Sequence, residues 1–356
     1  MSNMSQYLHS SNFSHIDQPY VSEHLDCINI SEGNRIRHFS LATRIIFGAW
    51  LVLIALGAVI GNLMVIIVIL INRYRRGIKK GTGTNYFLMS LAIADMMVGL
   101  FVVPQALHTF LRECWSFGSL MCLLTTSCIS IIVSTSIHTL MYLAIFKYIN
   151  IKRCAKTINY KPITRCMRNL MIILPYIWGL ILAVLATKFL SSVKLKPKTI
   201  QCGPEYPSTG NTRLYILHVA NQFLNIILPT VIIIFTYLKI YSIIKRDAWL
   251  RDNSLRAPES EVLKTFFIVL VCFLLCWTPY FVYTNYVTII PNKDDIPVHF
   301  NLVAFCFGYS NSACNPIIYA WRFPEFRMGY QYMLQRQRRR SSTATHMSHK
   351  VIRPSS

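Results

Sequence analysis

The chain has 356 residues, 53% of them hydrophobic and 14% charged, with a formal net charge of +22 and a mean hydropathy of +0.41. That balance lies outside the norm for soluble domains, and it excludes a soluble basic protein whose charge would address nucleic acid. One integral bundle consumes nearly all of the length, so no second sizeable domain is expected.

In chain order, residues 1–44 form a polar segment with three sequons, at Asn3, Asn12 and Asn29, which only a lumenal or extracellular segment can use. No basic flank followed by an apolar core opens the chain. No cleaved signal peptide is therefore expected, and the first apolar run serves as its own insertion signal. Seven apolar runs follow: Ile45–Ile71, Tyr86–Leu107, Leu120–Ile145, Leu170–Thr187, Leu214–Ile244, Phe266–Ile290 and Phe300–Trp321. Each is close to or above the roughly 20 residues that cross a hydrocarbon core. Seven crossings put the two termini on opposite sides of a membrane. Residues 45–321 thus read as a seven-helix transmembrane bundle, 322–334 as an amphipathic eighth helix, and 335–356 as a disordered cytoplasmic tail. That tail carries Arg338-Arg-Arg-Ser341-Ser342, which resembles a site for a basic-directed kinase and makes Ser341 and Ser342 candidate phosphorylation sites.

Charge placement gives the orientation. With the N-terminus outside, 26 of the 36 Lys and Arg fall on cytoplasmic segments, the bias of the positive-inside rule. The same basic face suits anionic inner-leaflet lipid. Of 11 cysteines, Cys27, Cys114, Cys122 and Cys202 lie on the outer, oxidising side. The others read as small buried or inert residues, and no pair has zinc-ligand spacing with histidines nearby.

A set of residues in register across the seven runs carries a resemblance. They are Gly61-Asn62, Leu91-Ala-Ile-Ala-Asp95, Trp115-Ser-Phe-Gly118, Cys122, Trp178, Pro229 with Tyr237, Phe273-Leu-Leu-Cys-Trp277-Thr-Pro279 and Asn311-Ser-Ala-Cys-Asn315-Pro316-Ile-Ile-Tyr319. The chain resembles a class A, rhodopsin-like G-protein-coupled receptor, and in pattern the biogenic-amine-type branch. The resemblance implies an all-α bundle that transduces an extracellular small-molecule ligand into G-protein activation at the plasma membrane, with arrestin and a receptor kinase as further partners. It implies a Cys122–Cys202 disulfide, leaving Cys27 and Cys114 for a second bridge.

An ionisable side chain at membrane depth is costly and marks function by default. The resemblance gathers Asp95, Asn62, Ser136, Asn311, Ser312 and Asn315 into one cluster that holds a sodium ion or a proton. Interhelical hydrogen bonding is the plainer alternative. The prolines Pro104, Pro229, Pro279 and Pro316 each remove a helix hydrogen bond. Those beside Trp277 and Tyr319 suggest places where the cytoplasmic half swings. Lys147, Tyr148, Tyr237, Glu259, Trp277, Pro279, Pro316 and Tyr319 are the candidate switch residues.

Two departures from the pattern bear on function. The acid-Arg-Tyr triplet of the family reads Phe146-Lys147-Tyr148, so a point charge stands where a planar fork is usual. Glu259 is left as a partner for Lys147. The third-helix Asp of amine receptors is Ile129, and no acid occurs from Cys122 to Phe146. An ammonium ligand would lack its charge-assisted bond there. The candidate pocket is Ile129, Val133, Asn221, Gln222, Asn225, Tyr280, Phe281, Thr284, Phe305 and Tyr309, with Lys194, Lys196 and Lys198 on the second outer loop. It suits an uncharged or acidic ligand. The rival readings are a receptor-like protein that is constitutively active or serves as a non-signalling scaffold or dimer partner, and a transporter, for which internal repeats are missing. No nucleophile–base set supports an enzyme.

Overall fold

The computed structural model describes residues 39–76, 83–156, 163–189, 193–195, 200–204, 212–246, 256–290 and 296–333. Helix α1 runs Leu41–Leu56, widens over Gly57–Gly61 and continues Asn62–Arg76. Helix α2 has the same plan, with Thr84–Met97, a wide turn at Val98–Val102, and Val103–Arg112. Helices α3 (Gly118–Lys156) and α4 (Arg165–Phe189) are followed by a hairpin of β1 (Val193–Leu195) and β2 (Cys202–Pro204). Helix α5 comprises Thr212–Gln222, a wide turn Phe223–Ile227 and Leu228–Arg246; α6 is Arg256–Ile289 and α7 is Val298–Arg322. Residues 324–333 form a short α8.

Six helices, α1 to α6, are long and apolar enough among the described residues to cross a membrane. The seventh run is less apolar than its place in the series suggests. Asn301, Ser310, Asn311, Ser312 and Asn315 lie along the 25 residues of α7, and all but the half-buried Ser310 are buried, toward the bundle rather than lipid. Lipid-facing positions such as Ile46, Leu53, Ile60, Phe235 and Leu275 are exposed. Where no water competes, every backbone group must be satisfied within the segment, and helices do that.

The wide turns of α2 and α5 are π-turns that end two residues before Pro104 and Pro229. A proline offers no N–H to the carbonyl one turn back and crowds it, and a wide turn relieves the crowding. Pro175, Pro279 and Pro316 lie inside α4, α6 and α7. Pro175 was not among the prolines the sequence brought forward. Tight packing rests on small residues. A Cβ on Gly61 would stand 2.9 Å from the Pro316 ring, and one on Gly179 would stand 2.8 Å from Ile131 Cα. These contacts seat α1 against α7 and α4 against α3.

The end that carries the hairpin is stapled. Cys122 at the head of α3 is disulfide-bonded to Cys202. Trp115 packs beside the bridge and donates its indole N–H to the Gly118 carbonyl at 2.8 Å. Gly118 has φ 71°, which glycine adopts without penalty, so the Trp-x-x-Gly spacing is the turn itself. Ile200 donates its backbone N–H to Asn301 Oδ1 at 3.2 Å, tying the hairpin loop to α7. Cys114 is also disulfide-bonded. Cys27, its expected partner, lies outside the described residues, as do Asn3, Asn12, Asn29, Ser341 and Ser342. The side chains of Lys194, Lys196, Lys198 and Glu259 lie outside them too.

Candidate functional site

Asp95 sits on α2 at 0% exposure. Its Oδ2 accepts from Asn315 Nδ2 of α7 at 2.7 Å, while Oδ1 has no hydrogen-bond partner among the described residues. Asn62 on α1 is equally buried and donates to the carbonyls of Ala58 at 2.8 Å and Ser312 at 2.9 Å. The second contact has a local cause. Pro316 has no N–H to give Ser312, four residues before it, so the carbonyl is free for the Asn62 amide. Asn62 Oδ1 and Asn315 Oδ1 are, like Asp95 Oδ1, buried oxygens without a partner among the described residues. A carboxylate oxygen and two amide oxygens, each buried without a partner among the described residues, are the donor chemistry of a hard cation. The residues present therefore fit a sodium ion or a proton.

Beside this cluster lies a cavity of ≈ 20 Å³, lined by Ile129, Ile132 and Val133 on α3, Val98 and Val102 on α2, and Trp277 on α6. Ser136, Gly308, Tyr309, Asn311 and Ser312 complete it. The cavity thus touches both predicted sets: Ile129, Val133 and Tyr309 of the ligand residues, and Ser136, Asn311 and Ser312 of the ion cluster. Its volume suffices for about one water, far below the roughly 300 Å³ at which small-molecule pockets begin. The aromatic ligand candidates close over it. Tyr280 meets Phe305 with ring centroids 5.2 Å apart, Phe305 meets Tyr309 at 5.8 Å, and Trp277 meets Tyr280 at 5.6 Å.

The amide candidates hold helices together. Asn225 of α5 is buried, and its Oδ1 accepts from Ser134 Oγ of α3 at 3.2 Å and Trp178 Nε1 of α4 at 3.1 Å. Its Nδ2 donates to the Asn221 carbonyl at 2.9 Å and to Asn221 Oδ1 at 2.8 Å. Gln222 pairs with His218 at 2.8 Å, donates to Thr284 Oγ1 at 3.3 Å, and accepts from Asn285 Nδ2 at 3.1 Å. These join α5 to α6. Phe281 stands next to Tyr280, centroids 6.3 Å apart.

At the end of the bundle away from the hairpin, Phe146 occupies the position of the missing acid and packs against Phe87, centroids 5.3 Å apart. Lys147 is 9% exposed. Tyr148 faces Lys152, whose ammonium lies 5.5 Å from the ring centre. Tyr237 packs on the inner core, and Tyr319, 0% exposed, packs on Phe326 of α8 at 5.8 Å with its hydroxyl unpartnered among the described residues.

The model of the 7 transmembrane receptor (rhodopsin family) matches residues 61–319, which spans every element just described from Asn62 to Tyr319. The chain belongs to that family. The receptor is 32% identical to trace amine-associated receptor 5 of Rattus norvegicus over 72% of its length and 76% of the relative's. It is 28% identical to melatonin receptor type 1B-B of Danio rerio, covering 76% of each. Its fold matches the crystal structure of squid rhodopsin with a TM-score of 0.73 and 19% identity, over 90% of the receptor and 92% of that chain. It is a G-protein-coupled receptor and not an enzyme.

Some residues of the receptor's site escaped the sequence reading. Arg44 of α1 forms an ion pair with Glu113 at the end of α2, and Glu113 Oε1 also accepts the Phe39 N–H at 3.2 Å. Glu113 is 5% exposed and left-handed at φ 58°, unusual for a residue with a Cβ. It caps α2 next to the disulfide-bonded Cys114. Ser134 was missed because a single hydroxyl on a long apolar run carries no distinguishing spacing. The fold also brings Cys272, Cys276 and Cys314 together from two helices, which linear spacing conceals.

Proposed function

We propose that the receptor sits in the plasma membrane with its N-terminus outside and recognises an uncharged or weakly acidic small molecule rather than an ammonium. The observation that carries this is the chemistry of α3. No acidic residue occurs between Gly118 and Lys156, and Ile129 lines the cavity at the place where an amine site needs a carboxylate. Glu205, Asp294 and Asp295 fall in the segments that join α4 to α5 and α6 to α7, and within or capping the helices, outside the cytoplasmic start of α6, the only carboxylates are Asp95, deep in the bundle, and Glu113, bound to Arg44. Neither is free to meet an ammonium entering from outside, and an unpaired buried cation is expensive. Of the ligands named for its relatives, the neutral one of the melatonin receptor suits this pocket better than a trace amine.

Opening begins at the aromatic layer. A ligand seated among Tyr280, Phe305 and Tyr309 separates rings that now touch, and the displacement reaches Trp277, which borders the cavity. The Trp277 face continues through Ser136 and Asn311 toward Asp95, Asn62 and Asn315, whose oxygens without a partner among the described residues favour a rearranged state or a bound cation. Asn62, Asp95 and Asn315 would hold a sodium ion, which supplies positive charge to the carboxylate. Below, Pro279 and Pro316 are the bending points for the cytoplasmic halves of α6 and α7. Ligand shifts the balance only by binding the open state more tightly.

Phe146 against Phe87 supports one modification of this reading. An aromatic contact thus stands where the family has the acid beside its arginine, and a compact ammonium stands in place of the planar fork, so signalling differs from the family's usual pattern either in basal activity or in strength of G-protein coupling. The tail serine pair and an arrestin then limit the response.

The test pairs an arylethylamine with its N-acylated, uncharged form in a G-protein activation assay. Activation by the acylated compound, and a preference that Ile129→Asp reverses toward the amine, is expected. An amine preference in the unmodified receptor would overturn the ligand assignment. Basal activity equal to that of untransfected cells, for the receptor and for Lys147→Arg alike at normal surface expression, would instead favour the scaffold reading.

A further inference from the structure

Cys272 and Cys276 lie four residues apart on α6, hence on one face a turn apart. Cys314 lies on α7, one residue before Asn315-Pro316. The three sulfurs all lie within 4.8 Å of one another. All are free thiols; Cys276 is buried and the other two half-buried. None takes part in the Asp95 cluster or the aromatic layer, and packing alone does not require three thiols to converge from two helices.

We propose that these cysteines form a binding site for a thiophilic metal ion, Zn²⁺ in the first instance, that bridges α6 and α7 at mid-bundle. The dimensions fit. A zinc–thiolate bond is about 2.3 Å, so three sulfurs arranged around one ion in a plane stand roughly 4 Å apart. The observed separations need to close by less than about 1 Å, which χ1 adjustments of three cysteines supply. The ligand set is all sulfur, which selects soft or borderline ions and rejects sodium, magnesium and calcium.

Charge balance is also met. Zn²⁺ binding to three thiols forms three Zn–S bonds and breaks two S–H bonds. Two protons leave to solvent, the third thiol stays neutral, and no electron is transferred. Two thiolates against one dication leave the site without net charge, as burial at membrane depth demands.

Cys276 precedes Trp277, and Cys314 stands two residues before Pro316, so the ion would clip together the two helices at their bending points. This consequence rests on the receptor cycle proposed above; the metal site itself does not.

The experiment uses the full-length receptor, purified in lipid nanodiscs without chelator and equilibrated with buffered Zn²⁺. Metal content by mass spectrometry should be close to one zinc per receptor in the unmodified chain. It should fall at least fivefold in Cys272→Ser, Cys276→Ser and Cys314→Ser. Cys166→Ser, which removes an exposed thiol on α4, should leave it unchanged. Zinc should also protect Cys314 from maleimide in the unmodified receptor. Each serine variant is accepted only if its thermal midpoint in chelator matches that of the parent in chelator, since bound zinc would itself raise the parent's midpoint, and alanine at the same position replaces it otherwise. Failure to retain stoichiometric zinc, equal zinc in Cys314→Ser, or a Cys272–Cys314 disulfide in freshly purified receptor overturns the site. Basal G-protein activation is read in parallel. A fivefold fall with zinc that Cys314→Ser abolishes supports the clip, whereas zinc bound through the three thiols in a chain that activates nothing supports the metal site and counts against the receptor cycle.

Discussion

Two polar clusters lie buried in the bundle and are built on opposite plans. Around Asn225, both ends of the amide are engaged: two donors reach its oxygen from α3 and α4, and its nitrogen donates within α5. Around Asp95, one oxygen is bonded, the other is not, and the amide oxygens of Asn62 and Asn315 are equally unpartnered among the described residues. A closed network rigidifies; an open one is high in energy until something moves or binds. The receptor thus has a fixed joint on its α3–α4–α5 side and a convertible one between α1, α2 and α7.

The contrast can be broken by substitution. Asn225→Leu should cost most, because Trp178 Nε1 and Ser134 Oγ lose their shared acceptor at once. An orphaned buried group costs about 1–3 kcal/mol in soluble proteins, and interhelical bonds in membranes average nearer 0.6 kcal/mol. A loss of about 1–3 kcal/mol is therefore expected, read as a lower thermal midpoint in detergent, with the pharmacology of surviving receptor unchanged. Asn62→Val should cost about 0.5–1.5 kcal/mol on the same scale, since the Ser312 carbonyl is left without a donor.

That carbonyl allows a sharper test. Pro316→Ala restores the backbone donor to Ser312, so it should compensate part of the Asn62→Val loss. A coupling of about 0.5 kcal/mol is expected in a double-mutant cycle, and strict additivity would refute the link. The smallest stability change belongs to Asp95→Asn, below about 0.5 kcal/mol in either direction, because removing an under-solvated charge offsets the altered bonding. Its effect should fall on signalling. Basal G-protein activation should drop several-fold, and a receptor destabilised by this change with unchanged activity would erase the distinction between the two clusters.

Much of the bundle was legible in the chain because membrane burial leaves a coarse, one-dimensional signal. The apolar runs locate α1 to α6 closely at most ends, but α3 continues from Ile145 to Lys156 and α6 starts at Arg256 rather than Phe266; Trp115 and Gly118 announce a turn whose geometry only glycine accepts readily. The seventh run was harder, since the residues that make α7 useful, Asn301 to Asn315, are those that dilute its apolarity. Within the site, Asp95, Asn62 and Asn315 stand out because a carboxylate or amide at that depth needs a reason. The sequence could not reveal that Asn225 is committed to Trp178 and Ser134, nor that Arg44 reaches Glu113 across 69 positions. Such pairings depend on helix rotation, which three π-turns alter by amounts that no hydropathy pattern records. The thiol trio was hidden for the same reason, as Cys314 joins the others only after α7 lies against α6.

The wide turn at Phe223–Ile227 behaves as a single inserted residue and so clocks the outer third of α5. An α-helix advances about 100° per residue. Deleting one residue from that turn would leave composition and length almost untouched, yet it would rotate His218, Asn221 and Gln222 by roughly a quarter-turn relative to Pro229. Thr284 and Asn285 would lose their α5 partners. Among otherwise similar chains, one codon gained or lost in this stretch could retune ligand preference more than many point changes in the pocket wall.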